Sequence, residues 1–99
     1  MAPRLELQEV LKGFVPNVYF QPPENDLIEY PCIVYVRDYI VTDHADDNPY
    51  NRHVRYLVTV IDPDPDSTIP DMVGNLPLCV FERFYTADKL NHDVFKLFF

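Results

Sequence analysis

From His53 to Ile61 the chain alternates, with Val54, Tyr56, Val58 and Val60 on one parity and Arg55, Leu57, Thr59 and Ile61 on the other. A period of two places the first set on one face of a β-strand and the second set on the opposite face. Four large apolar residues in a row on one face need a covering layer.

Leu7, Val10, Leu11 and Phe14 fall at i, i+3, i+4 and i+7, the stripe of an amphipathic helix over Pro3 to Lys12, with Pro3 in the first turn and Gly13 at the stop. Val18, Tyr19 and Phe20 make a short β run that ends at Gln21-Pro22-Pro23. Past Tyr30-Pro31, Cys32 to Val36 is apolar on both parities, the pattern of a central strand covered on both faces. Tyr39-Ile40-Val41 reads as a second piece, and Thr42 to Pro49 as a polar connection. Asp62 to Ser67 breaks the alternating strand, and Met72, Val73 and Leu76 restore helical spacing from Ile69, with Asp66 or Ser67 as N-cap and Pro70 in the first turn. This helix stops before Pro77. Leu78 to Tyr85 is a further strand, Thr86 to Lys89 a turn, and His92 to Phe99 a final strand or extended tail. The order predicts one α+β domain over residues 1–99, a mixed or antiparallel sheet of about four to five strands with two helices packed on one face.

Ninety-nine residues, 47% of them hydrophobic and 14% aromatic, are too apolar for disorder and too few for a second core. Such a domain folds with little surplus stability and gains from association. Ten prolines against two glycines favour stiff connections over flexible linkers. No run approaches a membrane span, and the opening MAPRLELQEV has acids where a secretory leader needs a basic start and an apolar stretch, so the expected setting is the cytoplasm or an assembly made there. Sixteen acidic residues against eight basic ones give a net charge of -8, which repels a phosphate backbone and argues against nucleic-acid binding through a basic surface.

Three groups have residue types that chemistry uses. Asp62, Asp64 and Asp66 match the opening of a calcium loop, but Ser67 and Val73 stand where the loop needs Gly and a bidentate Glu. A proline-stiffened turn ahead of a helix explains them better. Asp43, His44, Asp46, Asp47 and His53 have the types of a metal or acid/base site without a scaffold to converge them, and His92-Asp93 is too short to carry meaning. Cys32 and Cys79 sit in apolar strand runs without C-x-x-C spacing or a nearby base, which predicts free buried thiols. Phosphate loops, dinucleotide fingerprints and nucleophile elbows all need glycines that this chain lacks. The expectation is a protein that is not an enzyme and takes no cofactor or metal.

What remains is surface. Acids concentrate in two loops, Asp43, Asp46 and Asp47 in one and Asp62, Asp64, Asp66 and Asp71 in the other, while Arg37, Arg52, Arg55 and Arg83 lie in or beside strands. Opposite signs on different faces of one subunit allow copies to pair head to tail, the heterologous contact that closes into a ring. Arg37, Arg52, Arg55, Arg83, Asp62, Asp64 and Asp66 are the candidate interface residues.

Tyr30 to Tyr35, the Asp46 to Tyr50 loop, Tyr56 to Ser67 and the closing Phe84 to Phe95 together resemble a family of small tailed-bacteriophage proteins, the tail terminators or tail completion proteins. The resemblance covers roughly residues 14 to 97. It implies a small α+β virion protein, assembled in the host cytoplasm as a hexameric ring on the head-proximal end of the tail tube. Its partners would be further copies of itself, the tail tube protein and a neck or head-completion protein, with genome DNA passing through the lumen unbound. No residue role transfers, because the shared segments are strand cores and turns. An acidic loop carrying Asp43, Asp46 and Asp47 and turned to the lumen would let DNA pass without adhering. Two other readings stay open: an acidic DNA mimic that occupies a DNA-binding enzyme, and a metal-assisted hydrolase built on the loop from Asp43 to His53.

Overall fold

The computed structural model of the chain describes residues 4–21, 28–43 and 51–99, with backbone only at 41–43 and 51–53. Its elements are α1 (Arg4–Lys12), β1 (Val18–Phe20), β2 (Cys32–Asp43), β3 (Asn51–Asp62), α2 (Ile69–Gly74), β4 (Cys79–Ala87) and β5 (Leu90–Phe98). One five-stranded sheet runs in the order β1-β2-β3-β5-β4. β1 lies parallel to β2, and every other neighbouring pair is antiparallel. This is the α+β fold expected from the order of the elements.

β3 holds the middle of the sheet, and its alternation is realised residue by residue. Val54, Tyr56, Val58 and Val60 are buried, whereas Arg55, Leu57, Thr59 and Ile61 on the other face are half-buried. Leu7 and Leu11 from α1 and Val73 from α2 enter the same cluster as Ile33, Tyr35, Val58, Val60, Phe95 and Leu97. Both helices therefore cover one face. Burying each leucine contributes about 1.5–3 kcal/mol, more than the intrinsic helix preference of so short a segment as α1. The one polar group at the tip of the Tyr35 ring is satisfied: its hydroxyl donates to Gln8 Oε1 at 2.6 Å and accepts from Arg4 at 3.2 Å. The Arg4 guanidinium also lies 4.3 Å above the Phe20 ring, tying α1 to the β1 edge.

Several boundaries differ from the pattern in the sequence. The two pieces expected at Cys32 to Val36 and Tyr39 to Val41 are one twelve-residue strand with a bulge between Arg37 and Tyr39. Asp38 breaks the apolar run but not the ladder, because a bulge lets one extra residue stand out without ending the pairing. β2 is also not covered on both faces throughout: Cys32, Ile33 and Tyr35 are buried, but Val34 and Val36 are half-buried on the helix-free face. The N-cap of α2 is Thr68, without a side-chain bond, rather than Asp66 or Ser67; the Ser67 hydroxyl accepts from the Ile69 amide instead. The last turn is narrower than expected. Thr86 and Ala87 belong to β4, and Asp88 and Lys89 alone reverse the chain with φ of 53° and 64°. Two left-handed residues in succession match the right-handed twist of a hairpin.

β2 and β3 pair beyond the end of β5, from Ile40↔Val54 to Asp43↔Asn51, so among the described residues they leave the sheet as a two-stranded arm. This arm lengthens the molecule, whose 14.5 Å radius of gyration exceeds the roughly 13 Å of a compact domain of this size. The connection carrying His44, Asp46 and Asp47 lies outside the described residues, and Asp43 and His53 are described by backbone alone.

Candidate functional site: the β4 edge and its groove

Among the described residues β4 closes one side of the sheet, hydrogen-bonded to β5 and to no other strand. Almost every residue on it is exposed, including Val80 (64%), Phe81 and Phe84 (54% each) and Tyr85, and Leu78 just ahead of it is 68% exposed. A long exposed edge with apolar side chains on both faces is a template for association unless something blunts it. A bulge between Phe81 and Arg83 does so in part. It brings Glu82 to the helix-free face, where it pairs with Lys96 of β5 at 3.3 Å, and it divides the edge into two short ladders. The apolar side chains are left uncovered on either side of it.

A groove of about 660 Å³, open to solvent, runs between α2 and this edge on the helix-covered face. Phe81 and Phe95 form its floor, edge to face at 5.6 Å, and Pro70, Gly74 and Asn75 line one wall. A Cβ on Gly74 would stand 3.4 Å from the Phe95 ring, so this glycine lets α2 come close to β5. Two carboxylates, Asp71 of α2 and Asp93 of β5, also line the groove. Burial, together with the charge of Asp71 and against the opposing influence of His92, raises the Asp93 carboxyl above its ordinary range.

A raised value means that the folded protein holds this proton more tightly than the unfolded chain does. The resulting stabilisation is complete below the ordinary value of 3.8 and is lost as pH climbs through the higher folded-state value. At neutral pH the ionised Asp93 therefore works against folding. Asp93→Asn is expected to raise Tm at pH 7, with the gain shrinking to nothing as the pH falls below the carboxylate range. Thermal denaturation of both proteins from pH 3 to 8 checks this, and an equal gain at every pH would contradict it.

The candidate residues read from the sequence are dispersed. Asp62 is only 7% exposed, and its Oδ1 accepts from the Asp64 amide at 2.8 Å, while Asp64 Oδ1 accepts from the Asp66 amide at 2.9 Å. Asp62 and Asp64 therefore brace their own loop. Arg55 pairs with Asp38 at 2.8 Å on the helix-free face and lies over Tyr39, and Arg83 lies over Tyr85, which stacks on His92 at 4.5 Å. Arg37 is exposed on the helix-covered side of β2 and has no ion pair among the described residues, and the Arg52 side chain lies outside them. Cys32 and Cys79 are free thiols on β2 and β4, with β3 and β5 between them, so the strands are not neighbours. Burial, with a smaller push from Asp62, lifts the Cys32 thiol to about 11, which leaves it protonated and unreactive at neutral pH.

The groove and the apolar edge were not legible as a site. Leu78 to Phe81 is apolar on both parities, as a buried strand would be, and nothing local marks it as an edge. Asp93 stood out only as half of a His-Asp pair.

Among the described residues, no helix is long and apolar enough to cross a membrane, and no three ligating side chains gather as a metal site would require. The fold and its edge define a class: a small α+β domain whose most distinctive surface is an edge strand with exposed apolar side chains. Comparison of the chain with protein-family models, with curated proteins and with solved structures finds no match.

Proposed function

We propose that the chain is the repeating subunit of a ring that caps the head-proximal end of a bacteriophage tail tube, stops its growth and presents a surface to the neck. The observation that carries this reading is the β4 edge, a strand of nine residues with exposed apolar side chains on both faces. An edge of that kind is a liability for a monomer and an asset for a subunit that works only when assembled. A nine-residue strand is about 30 Å long, enough to seat a contact of standard size, about 800 Å² on each partner. The particular assembly, a tail terminator ring, comes from the resemblance of the strand and turn segments to that family.

Negative-stain imaging of the purified protein, alone and mixed with isolated tail tubes, tests the reading. Closed rings, or density at one end of the tubes with no further tube growth, are the expected result. A monomer that leaves both tube ends bare and growing overturns it. If that monomer instead binds a DNA-acting enzyme with a steep salt dependence, the DNA-mimic reading takes its place.

A further inference from the structure

We infer that the groove between α2 and β4 is the socket of a head-to-tail contact between copies of this chain, and that Arg37 of the neighbouring copy is the side chain it receives. This rests on the ring reading and names the interface that would build it.

The groove has the chemistry of a cation receptor. Phe81 and Phe95 offer aromatic surface to a guanidinium and its aliphatic stem, and Asp71 and Asp93 supply the opposing charge. Among the described residues neither carboxylate has an ion pair; the pairs formed are Arg55 with Asp38 and Lys96 with Glu82. Two neighbouring carboxylates without a counter-charge, one of them partly buried, repel each other until a cation arrives. Net charge makes the choice of occupant narrower. A subunit at -8 repels its own copies everywhere except where a local positive patch meets a local negative one.

That positive patch lies on the same face of the sheet, toward the opposite edge. Arg37 is on β2 directly across from Tyr56, and both Arg37 and Arg4 act on the Tyr56 hydroxyl electrostatically. Arg4 is already engaged with Gln8, Tyr35 and Phe20. Arg37 is exposed and uncommitted to any carboxylate among the described residues. The sheet order puts β1 and β2 at one side and β4 at the other, and β1 pairs with β2 only over Ile33 to Tyr35, short of Arg37, so plug and socket lie toward opposite sides of one subunit. A plug and a socket on opposite sides give a heterologous contact, which propagates around a ring instead of ending at a dimer. When subunits repeat in the same orientation, β4 of one copy meets β1 of the next in the antiparallel sense, because the two strands run oppositely within each sheet. The exposed Leu78, Val80 and Phe84 then supply the apolar area around the charged centre.

Charge exchange across the interface is the test. Arg37→Glu and Asp71→Arg, both at exposed positions, are made singly and together and measured by sedimentation velocity and by capping of tail-tube ends. Each single variant should keep the wild-type circular dichroism and weaken assembly at least tenfold, and the double variant should recover to within about threefold of wild type. If a reversal disturbs the fold, Arg37→Gln and Asp71→Asn replace it: each should weaken assembly, the double should lose no more than the worse single, and additive losses overturn the socket. The wild-type protein reports on the ring itself. Assembly by wild type and single variants alike overturns the socket while the ring reading stands, and loss in both singles without recovery in the double does the same. Loss of tube binding by Asp71→Arg with ring formation intact assigns the groove to the tube protein and overturns a second copy as its occupant. Failure of the wild type to assemble or cap overturns the ring reading, and the socket with it.

Discussion

Replacing Val80 and Phe84 together by lysine is expected to abolish assembly while leaving the subunit folded. Both side chains are more than half exposed in the single subunit, so the exchange costs little there, within roughly 0.5 kcal/mol for each site. In a contact that buries the part still exposed, each contributes about 1–2 kcal/mol. Losing two from every subunit interface therefore weakens association by about 2–4 kcal/mol, roughly thirtyfold to a thousandfold. The substitutions also place two lysines on a sheet edge, the device by which natural proteins prevent strands from pairing with neighbours. Sedimentation velocity should show the double variant as a monomer where the wild type assembles, with the two melting curves superimposed at dilutions where both are monomeric. An assembly unchanged by both lysines would mean that β4 faces solvent in the ring and that contact is made elsewhere.

Leu11→Ala should produce a large loss of stability, matched within α1 only by Leu7→Ala. Leu11 is fully buried beneath the helix, and removing its side chain costs about 2–5 kcal/mol, the transfer energy plus the cavity left behind. Domains of this size have only about 5–15 kcal/mol in total, and each kcal/mol moves Tm by about 4–8 °C, so a fall of about 10 °C or more is expected. Leu5 on the same helix is 64% exposed, and Leu5→Ala should move the midpoint by less than a quarter as much. Urea denaturation of the two variants measures the contrast directly. Equal losses would show that the side of α1 carrying Leu5 is covered as well.

The helix stripe and the β3 alternation were readable because each depends on local periodicity. Leu7 and Leu11 are buried because residues four apart share one side of a helix, and Val54 to Val60 are buried because residues two apart share one face of a strand. Turn chemistry was readable for the same reason: Asp62 and Asp64 accept from amides two residues on, a bond that needs nothing beyond the local chain. Bulges were harder. Asp38 and Glu82 each interrupt an apolar run, and whether a polar residue ends a strand or bulges from it is decided by the partner strand.

The exposed β4 edge and its groove were the least legible features. Val80 and Val58 are both valines in apolar strand segments, one 64% exposed and the other 0%. Val58 is on the central strand and faces the helices, whereas Val80 is on the edge strand and faces away from them. Asp71 and Asp93 are 22 positions apart in sequence and line one groove only because α2 packs close to β5 at Gly74. Arg55 and Arg37 look alike in the sequence, yet one is paired with Asp38 across the β2 bulge and the other is exposed without such a pair among the described residues.

By itself the sequence determined the class of fold, the buried face of α1 and β3, the stiffness of the Asp62 to Ser67 turn and a net charge of -8, since all of these follow from composition and near-neighbour spacing. Only the tertiary structure decided that β5 inserts between β3 and β4, and that single pairing choice made β4 an edge. Strand order arises from contacts between residues distant in the chain, whose entropy of closure and shared burial leave no periodic trace in any one segment.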